Sequence, residues 1–409
     1  MTSNSFDSFD LHPAILSNVL SLGYTNPTPI QAQSIPYILQ SKDVMGLAQT
    51  GTGKTAAFVL PILQRLIQSP RSGVRVLIIA PTRELTQQIH DAIGELAKGT
   101  KIRSVTLFGG VNINPQITTL ARGVEIVVAC PGRLLDHLQQ RTIDISKVEV
   151  LVLDEADHMF DMGFLPDIRR ILRFLPKKRQ TLLFSATMPE AIHNLAHDVL
   201  HHPVKIEIGR SAPATSVSQA LFPVKQHLKT ELLIHILKKT PKESVLVFTR
   251  TKHSAKKVAL KLENAGFSAT SLQGNLSQNK RQAAMSGFRD GSLQILVATD
   301  IASRGIDVAS ISHVINYDIP STVEAYIHRI GRTGRAAKEG EAFTLITQED
   351  QSEVHAIERV LRGKIEQRAF DDFDYAAALP VRSLASVVTK KPQQHRRKSH
   401  AKDSNNSRK

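Results

Sequence analysis

The eight residues AQTGTGKT at 48–55 decide how this chain is read. They follow a short apolar segment, VMGL at 44–47, and precede the helix-like run AAFVLPILQRL at 56–66. A strand, a glycine-rich turn and a helix in that order build a cradle for phosphate. Gly51 and Gly53 let backbone N–H groups curl around phosphate oxygens at a helix N-terminus. Lys54 reaches the β- and γ-phosphates, and the Thr55 hydroxyl ligates Mg2+. A plain glycine turn is the competing reading, and it leaves the flanking strand and helix unexplained.

Outward from this loop, short β-branched runs alternate with helix-length segments as far as residue 208. Strands are expected at 74–80, 124–129, 148–153, 181–185 and 204–208. Runs that are apolar on both faces and separated by helices indicate a mostly parallel sheet covered on both sides. A second series occupies 245–249, 293–299, 313–317 and 342–347. Between the two series lies GRSAPATSVSQ at 209–219, small and polar, which reads as a hinge linker. The fold class is therefore α/β. The expected organisation is an N-terminal extension at 1–33, a first domain at 34–208, the linker, a second domain at 220–365, and a C-terminal extension at 366–409. No short internal repeat is visible.

Composition narrows the class. Hydrophobic residues make up 41% of the 409, an ordinary globular fraction that excludes a wholly disordered chain, a collagen and a disulfide scaffold. No apolar run approaches the ~18 residues of a membrane helix. The opening MTSNSFDSFD lacks the basic-then-apolar pattern of a secretory signal. The single cysteine, Cys130, excludes an intramolecular disulfide and fits a reducing, cytoplasmic setting. Against 37 acidic side chains stand 52 basic ones, a net +15 that favours a polyanionic partner. With no lipidation motif, nucleic acid is preferred to a membrane surface. Residues 390–409 hold eight Lys/Arg and one Asp, net +7, with too few apolar groups to order them.

A triphosphate cradle needs an acidic partner on a neighbouring strand. Asp154, Glu155, Ala156 and Asp157 directly follow VEVLVL at 148–153. An Asp at a strand's carboxyl end holds Mg2+ through its water shell. Glu155, next along, is placed to polarise a water aimed at the γ-phosphate.

Taken together, these stretches resemble the motif set of the DEAD-box ATP-dependent RNA helicases. Besides AQTGTGKT and DEAD at 154–157, the chain carries PTREL at 81–85, SAT at 185–187, TDIASRGID at 299–307 and HRIGRTGR at 328–335. GYTNPTPIQ at 23–31 is similar to the family's Q motif, and Phe6 stands at the spacing of its isolated aromatic. The resemblance runs in order from about residue 6 to 360. The compact chain with its short basic tail is similar to the bacterial RhlE-type branch. The resemblance implies two tandem RecA-like domains, ATP and Mg2+ as cofactors, and RNA as partner.

It also implies roles. Gln49, Thr50, Gly51, Thr52, Gly53, Lys54 and Thr55 would line the phosphates, with Phe6 or Tyr24 packed on the base. The Gln31 amide can donate to and accept from adenine at once, as Gln does in DNA readout; a helix-start glutamine is the alternative. Arg332 and Arg335 resemble arginine fingers, which neutralise charge on the transferring phosphoryl group once two domains close. His328 resembles the family histidine near the attacking water, and Asp307 the ribose ligand. Ser185 and Thr187 would couple the acidic motif to closure through Asp157. Pro81, Thr82, Arg83, Gly109, Gly110, Arg133, Arg281 and Thr299 match RNA-binding motifs. Adjacent glycines suit close backbone approach and Arg suits phosphate. Without Trp and with 5% aromatics, base stacking is scarce, and sequence-nonspecific sugar–phosphate contact is expected.

Cys130 departs from the family's usual Thr before Pro-Gly-Arg, and a thiol is the weaker donor. His193, His197 and His201 recur every four residues without a Glu in the HExxH place, as a solvated helix face does. The leading expectation is ATP-dependent separation of short RNA duplexes or remodelling of RNA–protein complexes, for instance ribosomal precursors or RNA-decay assemblies. An RNA-dependent ATPase clamp with little unwinding and a DNA helicase are the alternatives. Intact Lys54, Asp154, Glu155, Arg332 and Arg335 argue against a binding-only module.

Overall fold

A computed structural model describes residues 5–49, 51–69, 73–208, 217–240, 244–303, 311–334 and 340–377. The expectations for Thr50, Asp307, Arg335, linker residues 209–216 and the basic segment 390–409 lie outside these residues.

Seven strands form the first sheet: β1 (Val44–Leu47), β2 (Val76–Ile79), β3 (Ser104–Leu107), β4 (Ile126–Ala129), β5 (Val150–Leu153), β6 (Gln180–Ser185) and β7 (Val204–Glu207). All pairings are parallel, in the order β3-β4-β2-β5-β6-β1-β7. The central strands VLII, IVVA and VLVL are buried at every position. Along them, alternate residues join different cores. Val76, Ile78, Val128 and Val152 pack in one cluster, Leu77, Ile79, Val127 and Leu153 in another. A pleated strand sends successive side chains to opposite faces, so both faces of the sheet are covered.

The first lobe also holds helices α1 (Pro13–Ser21), α2 (Pro29–Leu39), α3 (Lys54–Gln68), α4 (Arg83–Leu96), α5 (Asn114–Ala121), α6 (Pro131–Gln139), α7 (Ala156–Asp161), α8 (Leu165–Leu172) and α9 (Glu190–Val199). The described part of the expected N-terminal extension, residues 5–33, packs into the first lobe. Phe6, Phe9, Ile15, Val19 and Ile30 are core residues of the first lobe, packed with Phe58 of α3 and Phe184 of β6.

The second sheet contains β8 (Val217–Pro223), β9 (Ser244–Phe248), β10 (Ala269–Leu272), β11 (Ile295–Ala298), β12 (Ile311–Asn316), β13 (Gly340–Ile346) and β14 (Glu366–Gln367). It is likewise parallel, in the order β10-β11-β9-β12-β13-β8-β14. Numbered within each sheet, both orders read 3-4-2-5-6-1-7, so the chain contains one topology twice. The accompanying helices are α10 (Lys229–Lys239), α11 (Lys252–Asn264), α12 (Gln278–Arg289), α13 (Asp300–Ser303), α14 (Val323–Ile330) and α15 (Gln351–Leu361). Two boundaries move: β8 begins inside the stretch read as linker, and β14 lies past residue 365, added to the sheet beside β8. Strands β3, β10 and β14 escape the periodicity reading because they are short edge strands, polar or half-exposed.

Candidate functional site

Parallel α/β sheets present their ligand sites at the carboxyl ends of the strands. Here the strand order sorts those ends into two groups. The adjacent strands β1, β6 and β5 deliver the loop 48–53, Ser185–Thr187 and Asp154–Asp157 to one place. The neighbouring strands β2, β4 and β3 deliver Pro81–Arg83, Cys130–Arg133 and Gly109–Gly110 to the adjoining edge. Strands far apart in sequence thus place the residues expected to hold nucleotide and those expected to hold RNA side by side.

The phosphate loop turns through Gly51 and Gly53, both left-handed, with φ of 81° and 93°. A Cβ at Gly53 would fall on the Gln31 side-chain amide. That amide accepts from Thr28 N–H (2.9 Å) and donates to the Gly53 carbonyl (3.1 Å). Gln31 therefore both caps α2 and ties it to the phosphate loop, so the helix-start alternative describes part of what it does. Lys54, the first residue of α3, is buried and donates to the Ala48 carbonyl at 2.9 Å. Tyr24 is 40% exposed and stacks on Phe6, whose own exposure is 1%. Phe6 is thus a core residue supporting Tyr24 and packed in the first-lobe core with Phe9, with no face left for a base.

The two adjacent carboxyls are tuned in opposite directions. Asp154 is buried, and burial raises its pKa to about 6 despite the nearby Lys54 charge. Glu155 suffers the same burial, yet a 2.9 Å hydrogen bond with His158 Nδ1 and the nearby Lys54 and Arg332 charges together hold it at about 2. Glu155 has left-handed backbone (φ 52°), its N–H donating to Asp154 Oδ1 at 3.0 Å. Such a conformation costs a non-glycine residue roughly 1 kcal/mol or more.

Asp157, Ser185 and Thr187 form one network. Asp157 Oδ2 accepts from Ala186 N–H, Thr187 N–H and the Thr187 hydroxyl at 3.2, 2.8 and 3.0 Å. The Ser185 hydroxyl accepts from Asp157 N–H and donates to the Thr187 carbonyl. The short hydroxyls are anchored to the acidic motif directly.

From the second lobe, α14 faces this group across a cleft of about 1120 Å³, whose lining includes Ala48, Asp157, His158, Asp300, His328 and Arg332. His328 packs edge-to-face on His158, ring centroids 5.2 Å apart. Burial above all pushes His328 down to about 4, so it is neutral at pH 7. The sequence reading passed over the group that holds this helix. Arg329 is buried, paired bidentately with Asp300 (2.6 and 2.8 Å), and donates to Asn316 and the Asp318 carbonyl. It pins α14 to the ends of β11 and β12. Its only sequence signal is its place within HRIGRTGR. His158, which nothing in the spacing marked, is 3% exposed.

On the RNA edge, Thr82 caps α4 through Leu85 N–H, and Pro81 is buried. Gly110 has φ 75°, and a Cβ there would fall on the Arg83 guanidinium. Arg83 and Arg281, expected as phosphate ligands, are engaged across the lobes. Arg83 donates to Gln278 (2.9 Å), and Arg281 pairs with Glu84 (2.8 Å). Arg133 donates to the Val111 carbonyl at 3.1 Å and leaves its buried Nη1 without a hydrogen-bond partner. Thr299 is half-buried at the end of β11, beside Asp300. Burial pushes the Cys130 thiol up to about 11, and its sulfur lies 3.3 Å from the Thr86 hydroxyl, so it is a protonated packing residue. His193, His197 and His201 are exposed, and no group of three or more His, Cys, Asp or Glu able to hold a metal ion occurs among the described residues.

Comparison with known proteins agrees with this layout. The family model for the DEAD/DEAH box helicase matches residues 28–195, and that for the helicase conserved C-terminal domain matches 228–337. The chain is 43% identical over 364 residues to the DEAD-box ATP-dependent RNA helicase RhpA of Helicobacter pylori, covering 88% of this chain and 73% of RhpA. It is 40% identical over 385 residues to the DEAD-box ATP-dependent RNA helicase CshA of Bacillus cereus, covering 94% of this chain and 73% of CshA. Among solved structures, Saccharomyces cerevisiae Dbp5 bound to RNA and ADP BeF3 is similar with a TM-score of 0.79 and 30% identity, covering 89% of this chain and 95% of that one. Mss116p bound to ssRNA and AMP-PNP has a TM-score of 0.82 at 28% identity, covering 90% and 78%. The two parallel sheets are tandem RecA-like domains.

Proposed function

Because this chain belongs to the DEAD-box family of ATP-dependent RNA helicases, we propose that its two lobes hydrolyse ATP in the cleft between them while the adjoining strand ends grip RNA. The carrying observation is convergence. Lys54 and Glu155 of the first lobe meet the field of Arg332 from the second, in one buried group. A guanidinium delivered from the opposite lobe neutralises the transferring phosphoryl group only in the closed arrangement.

Lys54 binds the β- and γ-phosphates, with backbone groups of 49–53 around them. Gln31 reads adenine with the amide hydrogen and lone pair that its internal contacts leave over, and Tyr24 covers the base. Asp307 takes the ribose. Glu155 is fully ionised at neutral pH and acts as the general base on the attacking water; His328, neutral, hydrogen-bonds near it, and Arg332 with Arg335 stabilise the developing charge. Asp157, Ser185 and Thr187 transmit closure to the acidic motif.

The Thr55 hydroxyl and Asp154 carboxylate are hard oxygen donors suited to Mg2+. Asp154 is a buried carboxyl raised to about 6, a group that lacks a sufficient positive partner and that a divalent cation would supply. Held by Thr55 and Asp154, Mg2+ would supply charge neutralisation for the triphosphate.

RNA is held by Pro81, Thr82, Arg83, Gly109, Gly110, Arg133, Arg281 and Thr299. The unpartnered Arg133 donor suits a phosphate oxygen, and the +15 net charge supports a polyanion. The short basic segment 390–409 supports the RhlE-type branch and RNA within precursor or decay assemblies. No helix of the described residues is long and apolar enough to cross a membrane, and the cytoplasm is the compartment we assign.

The test pairs ATPase assays with RNA or DNA added against unwinding of short RNA duplexes. RNA-stimulated hydrolysis with duplex separation is expected. Stimulation without separation would make the chain a clamp, and equal stimulation by DNA would refute the RNA assignment. Glu155→Gln should keep ATP and RNA binding and lose turnover. Hydrolysis near the wild-type rate in that variant removes Glu155 as the base.

A further inference from the structure

One buried imidazole stands between the base and the opposite lobe. His158 lies on α7, one turn past Glu155, and is 3% exposed. Its Nδ1 is 2.9 Å from Glu155 Oε2. A group that serves as the base is a carboxylate and can only accept, so on that reading the proton in this bond sits on Nδ1. The other side of the His158 ring meets the His328 ring edge-to-face.

We propose that His158 is a positioning residue: its Nδ1–H holds the Glu155 carboxylate in line for the attacking water, and its ring is seated by His328 when the second lobe closes. This rests on the reading of Glu155 as the base. Physically, a carboxylate on a left-handed residue has side-chain torsions to spare, and a base misaligned by a fraction of an ångström loses much of its effect. A hydrogen bond to a charged group fixes those torsions. Because the imidazole contacts both Glu155 and His328, movement of α14 bears on the base through a single side chain. The effect belongs to the chemical step and not to nucleotide affinity, since the side-chain contacts of His158 go to Glu155 and His328 and not to the described residues of the phosphate loop or the Q motif.

Two substitutions separate the bond from the ring. His158→Asn carries an N–H at about the position of Nδ1 and gives up the ring. His158→Phe retains an aromatic against His328 and gives up the donor. With saturating RNA, His158→Phe should lower kcat for ATP hydrolysis by about 10- to 100-fold, the worth of a charge-assisted hydrogen bond. Its KM for ATP should stay within about twofold. His158→Asn should recover most of kcat. Fluorescent ATP-analogue binding and thermal melts show that each variant is folded; should Phe fail to fold, Asn against His158→Leu carries the same comparison. Wild-type kcat in His158→Phe, or Asn as impaired as Phe, overturns the proposal. Glu155→Gln measured alongside keeps the two ideas apart. If that variant turns over normally, the base assignment has failed. If it is dead while His158→Phe is fully active, only the positioning role has failed.

Discussion

Asp154→Asn should stabilise the nucleotide-free protein while destroying its activity. Asp154 is 2% exposed and its pKa rises from 3.8 in the reference state to about 6 through burial, opposed by Lys54. A raised acid contributes stability that is fully present below about pH 4 and is lost as pH climbs through 6, because the folded state binds the proton more tightly. At pH 7.5 the whole penalty is in force. Two units at ~1.4 kcal/mol each amount to about 2–3 kcal/mol. Asparagine keeps the oxygen that accepts Glu155 N–H and removes the buried charge. For a domain of this size, that corresponds to a Tm higher by about 5–10 °C. Calorimetric melts in EDTA at pH 7.5, 6 and 5 read it. The gap between variant and wild type should shrink to about half by pH 5. ATP analogue with Mg2+ should raise the wild-type Tm far more than the variant's. An unchanged or lowered Tm at pH 7.5, or a gap independent of pH, refutes the reasoning.

Gln31→Ala should relax the preference for ATP over GTP by roughly 5- to 150-fold, the worth of a bidentate base contact, read as the ratio of competition constants. The ratio matters because the substitution also frees Gly53 O and Thr28 N–H; an unchanged ratio moves adenine recognition elsewhere. Asp157→Ala leaves three backbone N–H groups and a hydroxyl without their acceptor, so about 2–4 kcal/mol of first-lobe stability should go, with unwinding lost before basal ATPase. Equal loss of both activities would deny Asp157 a coupling role. Removing residues 390–409 should leave ATP binding intact and flatten the salt dependence of RNA binding by about 3 in slope, if half of the eight basic residues meet phosphates at about −0.7 each. Parallel lines in the log–log plot would mean the segment never touches RNA.

How much of this was legible beforehand differs from one residue to the next. Gly51, Gly53, Lys54, Asp154 and Glu155 announce themselves, because a phosphate cradle and an acidic strand end are local devices built from a few consecutive residues. The two α/β series, the basic excess and the lone cysteine are also properties of the chain as written. What the sequence cannot carry is adjacency. Parallel strands pair through crossovers, so β1 lies between β6 and β7, residues more than a hundred positions away. That order alone brings SAT beside DEAD and the phosphate loop, and it shows one strand topology used twice where no repeat is visible in the letters. The same applies to single side chains. Phe6 is a core residue because α3 and β6 close over it, and Arg83 and Arg281 are spent across the lobes because Gln278 and Glu84 come within reach. His158 and Arg329 acquire meaning only when α7 and α14 face one another. Local chemistry is written in short stretches of chain; which stretches share a site is decided by hydrogen-bonded strand order and by burial, and both are sums over contacts between distant residues.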